Sequence, residues 1–487
     1  MNNLRPLTLS IERAVPALPE VRFAEPVQWH IREGEQWAVI GANGSGKSLL
    51  ADLLQGRYVL KEGAVRFRAE GKTGEIVKSI AFKDIHSIVD SRNTYYQQRW
   101  HATETDGWPT AGELLSSGED APDVCEAMFT QFHIRESLSE KVIHLSSGEF
   151  RKFLIIRSLL SNPTFLVLDN PFIGLDAVSR ETLVEMLDEI ARSDKLQLIL
   201  LLSNPSDIPE MITHVLPLSR RRCLPPQTRT AFLADVATRT QLFPVQEKPV
   251  HLPFYEEKTA THQVTFRMEQ VCIRYGERMI LNDICWEVKN GEKWALCGPN
   301  GSGKTLLLSL IYADNPQAYA QTLYLFDRKR GSGESIWDIK QRIGYVSPEM
   351  HLYYRENIPA LNIVCSGFFD STGLFRKCND AQRQRALEWM RLFGIDALKD
   401  RSFLTLSSGE QRLTLLARAF VKNPDLLILD EPLHGLDISG KHRAARIIEA
   451  FCAGKGKTLI YVTHYPNELP ACIDRRFELT HATIVPD

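Results

Sequence analysis

One segment of the sequence occurs twice. "GEQWAVIGANGSGKSLL" at 34–50 matches "GEKWALCGPNGSGKTLL" at 291–307, and "HLSSGEFRKFLIIRSLLSNPTFLVLDNP" at 144–171 matches "TLSSGEQRLTLLARAFVKNPDLLILDEP" at 405–432. A repeat on this scale makes the chain two copies of one domain, and 487 residues are too many for a single compact core. Copy one spans 1–218 and copy two 263–487. Residues 219–262 are rich in proline and charge and read as a linker with one short helix near 229–241. In each copy short apolar strands alternate with helical patterns, and glycine-rich turns follow strands. Each copy is therefore expected to be an α/β domain on a mostly parallel sheet.

Composition narrows the surroundings. The chain is 44% hydrophobic and 24% charged with a formal net charge of -2, so it carries no strong nucleic-acid signal. Nine cysteines without a CxxC pair point to thiols in a reducing compartment. The start, "MNNLRPLTLSIERAVP", has no signal-peptide pattern. The longest apolar run, around "LQLILLLS", falls short of the roughly 18 residues a membrane span needs and reads as a buried parallel strand. The expectation is a soluble, cytoplasmic protein that meets the inner face of a membrane only through a partner.

"GANGSGKS" (Gly41 to Ser48) and "GPNGSGKT" (Gly298 to Thr305) both fit the phosphate-loop pattern between an apolar strand and a helix. Backbone N–H groups from Gly41, Asn43, Gly44, Ser45 and Gly46, and from Gly298, Asn300, Gly301, Ser302 and Gly303, would surround a nucleotide's phosphates. Lys47 and Lys304 add positive charge, and the Ser48 and Thr305 hydroxyls suit Mg²⁺. Asp169 and Asp430, each ending an apolar strand, supply the second half of a magnesium site. The bland alternative, a glycine-rich turn capping a helix, does not account for two matches in corresponding places.

"LSSGE" recurs at 145–149 and 406–410, with equal spacing to the aspartates (145 to 169, 406 to 430). A third occurrence, inside "LLSSGED" at 114–120, is too far from Asp169 and precedes no amphipathic helix. With these motifs the chain resembles an ATP-binding cassette (ABC) protein with two tandem P-loop nucleotide-binding domains, each a sheet core with a helical subdomain. The resemblance covers nearly everything except the linker. It implies that the signature helix of one copy faces the γ-phosphate held by the other, where a helix N-terminus favours an anion. Ser147, Ser408, Glu149 and Glu410 depart mildly from the family's "LSGGQ" pattern. By the same resemblance Asp176 and Asp437 match the D-loop, His464 the switch histidine and Tyr275 the adenine-stacking ring. Copy one offers Asn204 and Leu18 at the last two places. The glutamine loop is Gln97 or Gln98 in copy one; copy two has only Glu349 nearby.

After the aspartate, copy two has Glu431, able to accept a proton from water, and copy one has Asn170, which is not. Head-to-tail pairing within a monomer, as the resemblance implies, gives one complete site. It holds Lys304, Thr305, Asp430, Glu431 and His464, completed by Ser146 and Gly148. The weakened site holds Lys47, Ser48, Asp169 and Asn170, completed by Ser407 and Gly409. The implied activity is ATP hydrolysis with ATP and Mg²⁺, one site active and one weakened.

RNase-L-inhibitor-type relatives carry an iron–sulfur segment this chain lacks, and translational factors a longer helical linker. The closest resemblance is to bacterial tandem ATPases labelled photorepair or molybdenum-transport ATP-binding proteins, on "LYLFDRKRGSGESIWDIKQRIGYVSPEMHLYYR". The leading expectation is the energy-coupling subunit of an ABC transporter whose membrane permease subunits are separate chains. The alternative is a soluble ATPase acting on a macromolecular complex such as the ribosome. The stretch 356–377 reads either as the contact with a membrane partner or as the core of the helical subdomain.

Overall fold

A computed structural model describes residues 6–69, 71–82, 109–116, 129–130, 132, 134–142, 145, 147–175, 177–192, 196–244, 249–256, 262–275, 278–299, 301–354, 356–465 and 468–479. Gln97, Gln98, Ser146, Asp176 and Asn300 lie outside the described residues. The chain forms two compact units, the first drawn chiefly from residues up to Val245 and the second chiefly from Gln246 onward.

The strands of the first unit are β1 (Leu7–Pro16), β2 (Val27–Arg32), β3 (Trp37–Ile40), β4 (Leu60–Phe67), β5 (Val77–Ala81), β6 (Phe165–Asp169), β7 (Gln197–Leu202) and β8 (His214–Ser219). A small antiparallel sheet runs β2-β1-β4, and a parallel core runs β8-β3-β7-β6-β5. Side chains alternate across this sheet. Phe165 and Val167 enter one apolar core with Trp29, Trp37 and Leu50, while Leu166 and Leu168 enter the other with Phe153 and Leu187. That double burial explains why β6 and β7 are apolar throughout rather than alternating.

The stretch read as a linker is divided between the units. β9 (Arg222–Cys223) and β10 (Gln227–Thr228) both pair with β8, and two short helices follow, Arg229–Ala234 and Val236–Leu242. Phe232, Leu242 and Phe243 are buried in the first unit's core.

The second unit repeats the plan. Its strands are β11 (Val264–Tyr275), β12 (Arg278–Lys289), β13 (Lys293–Cys297), β14 (Thr322–Leu325), β15 (Arg328–Lys329), β16 (Ile343–Val346), β17 (Leu426–Asp430), β18 (Thr458–Val462) and β19 (Arg475–Glu478). The antiparallel sheet is β12-β11-β14-β15 and the parallel core β16-β17-β18-β13-β19. Read in the opposite direction, the first unit's core has the same order of equivalent strands, so each phosphate-loop strand lies between the same two neighbours.

A helical subdomain packs beside the second core, built from Ala360–Ser366, Asp380–Phe393 and Ser408–Phe420. Asn379 and Gln382 form a capping box at one end of the middle helix, and left-handed Gly394 ends it. Trp389, Phe393, Phe420 and Phe451 make its aromatic centre. Ala360, Leu361, Ile363, Val364, Cys365 and Ser366 are all buried, so this part of 356–377 is core. A buried polar cluster ties the subdomain to the end of the phosphate-loop helix. Asp370 accepts from the Tyr312 hydroxyl (2.9 Å) and pairs with Arg418 (3.4 Å) and Lys422 (3.2 Å). No helix among the described residues is long and apolar enough to cross a membrane.

Residues 250–255 lie along this subdomain. The Tyr255 hydroxyl donates to the Val421 carbonyl (2.6 Å) and accepts from Trp389 Nε1 (2.8 Å), while its neighbour Phe254 is 80% exposed. Tyr255→Phe removes both bonds and strands a buried indole N–H, so it is expected to destabilise the second unit by about 1–3 kcal/mol in urea unfolding. Phe254→Ala is expected to change the same transition by less than about 0.5 kcal/mol.

Candidate functional site

Each phosphate loop leaves a core strand and enters a helix, Lys47–Leu54 after β3 and Lys304–Ile311 after β13. Gly46 (φ 107°) and Gly303 (φ 93°) are the left-handed N-caps that make this abrupt entry, a conformation costly to residues with a Cβ. A Cβ on Gly41 would lie 2.1 Å from the Leu218 carbonyl oxygen, and one on Gly298 2.4 Å from that of Leu479. Both loops curl around their own lysine. Lys47 Nζ donates to the carbonyls of Gly41 (2.7 Å) and Ala42 (3.0 Å), and Lys304 Nζ to those of Gly298 and Pro299 (both 2.7 Å).

The hydroxyls of Ser45 and Ser302 are buried and have no hydrogen-bond partner among the described residues. A buried hydroxyl without a partner costs about 1–3 kcal/mol. Two orphans at equivalent places, inside glycine-rich loops that hold a lysine, suit an anionic phosphate. In copy one Ser48 Oγ donates to Asp169 Oδ2 (2.7 Å), bringing together two oxygen donors that suit a hard cation. Residues Asn43, Gly44 and Gly301 belong to the described loops, with Gly44 and Gly301 at φ 74° and 75°.

The differing residues occupy the same backbone turn. Asn170 and Glu431 both have left-handed φ, 51° and 46°. Each donates its N–H to the adjacent strand, Asn170 to the Leu201 carbonyl and Glu431 to that of Val462, both at 2.9 Å. The side chains then meet different partners. Glu431 Oε1 lies 2.8 Å from His464 Nε2, and Oε2 lies 3.9 Å from His434 Nδ1. Burial works to raise the Glu431 pKa. The His464 hydrogen bond and the positive charges of His434, His464 and Arg412 outweigh it and hold the carboxyl below its ordinary value. Glu431 is thus ionised at neutral pH and able to accept a proton.

In copy one the sequence match of Asn204 with His464 is corrected by strand register. Asp169 pairs with Leu201 and Asp430 with Val462, so two residues further on Ser203 corresponds to His464. Ser203 Oγ donates to Asn170 Oδ1 (3.2 Å) and also lies 3.2 Å from Asn43 Oδ1, while Asn170 Nδ2 donates to Asp169 Oδ1 (2.8 Å). Asn204 instead caps a short helix by accepting from the Ser206 N–H. Hydroxyl and amide replace imidazole and carboxylate.

The remaining expected residues are distributed as follows. Ser407 caps the helix Ser408–Phe420 in a reciprocal box with Glu410, and Gly409 is buried in its first turn. Gly148 lies at the equivalent turn of the helix Ser147–Leu159, where a Cβ would come within 3.1 Å of Ser179. Tyr275 ends β11 half-buried, its hydroxyl accepting from Asn315 Nδ2 (3.4 Å). Glu349, the residue nearest an expected glutamine loop in copy two, falls in the helix Pro348–Tyr353, which Ser347 caps. Sequence reading passed over Arg412 and His434. The one signal for Arg412 was an arginine two residues after the signature glutamate in both copies, Arg151 being the other.

Comparison with known proteins gives the same picture. The family model described as ABC transporter matches residues 24–173 and 281–434. The "ABC transporter ATP-binding protein ModF" of Escherichia coli K12 is 35% identical over 97% of this chain and 96% of its own length. An uncharacterised ABC transporter ATP-binding protein of Schizosaccharomyces pombe is 28% identical over 94% and 95%. Among solved structures, "RNase-L Inhibitor" aligns over 96% of this chain and 87% of its own (TM-score 0.53, 18% identity). A chain in the crystal structure of archaeal ribosomal stalk protein aP1 with ribosome recycling factor aABCE1 aligns over 92% and 83% (TM-score 0.53, 19% identity). At such identity these structures speak to the fold alone.

The register correction makes a direct prediction. In a Glu431→Gln background, Asn170→Glu with Ser203→His is expected to raise ATP hydrolysis at least about 10-fold, since a positioned base contributes about 10²–10⁴. Asn170→Glu with Asn204→His is expected to gain less than Asn170→Glu with Ser203→His, as measured by phosphate release.

Proposed function

Because the chain belongs to the ABC family of ATP-binding proteins and is a tandem ATPase that uses ATP and Mg²⁺, we propose that turnover runs at copy two. Copy one holds nucleotide without turning it over at a comparable rate. The observation that carries this reading is the 2.8 Å contact of Glu431 with His464 against the Asn170–Ser203 pair in copy one. ATP and Mg²⁺ supply the phosphoanhydride and the cation that offsets its charge. The chain's own residues do the rest. The two phosphate loops bind, with Lys47 and Lys304 supplying charge, and Ser48, Asp169, Thr305 and Asp430 hold the cation. Tyr275 contacts the base. Glu431 takes the proton from water, and His464 orients Glu431 by its hydrogen bond. Ser146, Gly148, Ser407 and Gly409 serve as the signature contacts to phosphate.

For the use of that energy, we propose work on a cytosolic macromolecular complex rather than the energising of a membrane permease. What favours this is the burial of the helix Ala360–Ser366, which removes that helix, though not the exposed stretch Phe375–Lys377, from contact with any partner. The transport reading rests on the printed name of the ModF relative. Nothing in the site favours the photorepair label over a general ATPase role.

Two measurements test these proposals. Glu431→Gln is expected to lower the ATPase rate at least about 10²-fold while ATP binding persists, and Asn170→Ala to slow it far less. Near-wild-type hydrolysis in Glu431→Gln would overturn the assignment of turnover to copy two. Affinity purification of ATP-trapped Glu431→Gln is expected to recover ribosomal or other cytosolic complexes; recovery of permease subunits would instead establish the transport reading.

A further inference from the structure

Besides its backbone bond to Val462, the turn that carries Glu431 is gripped by one side chain. Arg412, in the second turn of the helix Ser408–Phe420, is 1% exposed, and all its hydrogen bonds go to backbone carbonyls. Nε donates to Pro432 (3.3 Å), and Nη2 donates to Asp430 (3.0 Å) and to Glu431 itself. Nη1 donates to Ser347 (2.8 Å), the residue after β16. One planar guanidinium thus gathers three successive carbonyls from the end of β17 and one from the end of the neighbouring strand. Its fork of fixed donors is what permits four acceptors at once.

Three successive carbonyls converge in this way only because the chain reverses sharply at Glu431, at φ 46°. That left-handed conformation costs a residue with a Cβ roughly 1–2 kcal/mol, and asparagine tolerates it better than glutamate. Copy one has an arginine at the equivalent place. Arg151 donates to the carbonyls of Pro171 (2.5 Å) and Ile173, beyond the turn at Asn170. In the copy with the reacting glutamate the guanidinium reaches the turn residue's own carbonyl.

We propose that Arg412 is the positioning residue for Glu431, fixing the carboxylate toward the attacking water through the backbone of residues 430–432. The signature helix and the catalytic turn are thereby one mechanical unit, and a shift of that helix moves Glu431 with it. This inference rests on the reading that copy two hydrolyses ATP.

The test compares Arg412→Met, Arg412→Lys and Arg151→Met in the full-length chain, reading kcat, KM and the Kd of a fluorescent ATP analogue. Arg412→Met is expected to lower kcat at least about 10-fold with KM and Kd within about 3-fold of wild type, the pattern of an interaction made in the transition state. Arg412→Lys, which keeps the charge but not the fork, is expected to recover part of that loss. Arg151→Met, the same truncation in the other copy, is expected to leave kcat within about 2-fold. Because Arg412 acts through Glu431, Arg412→Met added to Glu431→Gln is expected to change the residual rate by less than about 2-fold, a non-additive cycle.

Equal kcat losses from Arg412→Met and Arg151→Met, or additive losses with Glu431→Gln, would reduce Arg412 to a structural role and overturn the proposal. If Arg412→Met does not fold, Arg412→Lys decides: a lowered kcat at unchanged KM supports positioning, and a wild-type kcat refutes it. An inactive Glu431→Gln beside a fully active Arg412→Met sinks this inference alone. An active Glu431→Gln sinks the reading beneath it.

Discussion

Parallel pairing of β17 with its neighbours is the constraint on which the site depends. In a parallel ladder every strand ends at the same edge, and the register counts residues to that edge. Asp430 pairs with Val462, and β18 in turn pairs with β13, the strand that leads into the phosphate loop. Loop, aspartate, glutamate and histidine therefore emerge together, though they come from separate stretches of the chain between Gly298 and His464. The carboxyl edge of such a sheet is where open α/β proteins place their ligands.

The two copies show what that edge tolerates. Backbone geometry is the same at Asn170 and Glu431, down to the 2.9 Å bond to the next strand. Chemistry at the edge has changed around it. In copy two a half-buried carboxylate is kept ionised by imidazoles and a guanidinium. In copy one a hydroxyl, an amide and a carboxylate satisfy one another, through Ser203, Asn170 and Asp169. A half-buried glutamate without histidine beside it would lose most of what offsets its desolvation.

Much of the fold was legible because duplication supplies its own control. Two matching phosphate loops, two apolar strands ending in aspartate and two signatures at equal spacing left little room for another architecture. The α/β cores, their parallel strands and the helices after each loop follow from local pattern: period-2 burial, apolar runs and glycine turns. One match was a residue out of step. Setting Asn204 opposite His464 slips the copies by one; counted along paired strands the equivalent is Ser203, and the prolines that follow in both copies, Pro205 with Pro466 and Pro209 with Pro470, agree. In a ladder that one residue decides which side chain reaches Asn170.

The sequence by itself determined the reacting groups: the lysines, the aspartates, and a base in one copy against an amide in the other. Those are properties of single residues, and no packing can make an amide into a base. Tertiary structure decided how they are held. That Arg412 binds carbonyls from the ends of two strands and that Tyr255 fastens the connecting segment to Trp389 are contacts between residues distant in the chain. An arginine is written the same way whether it lies in solvent or is buried among carbonyls. Only the packing of a helix against the ends of two strands tells which, because the cost of burying its charge is met only there.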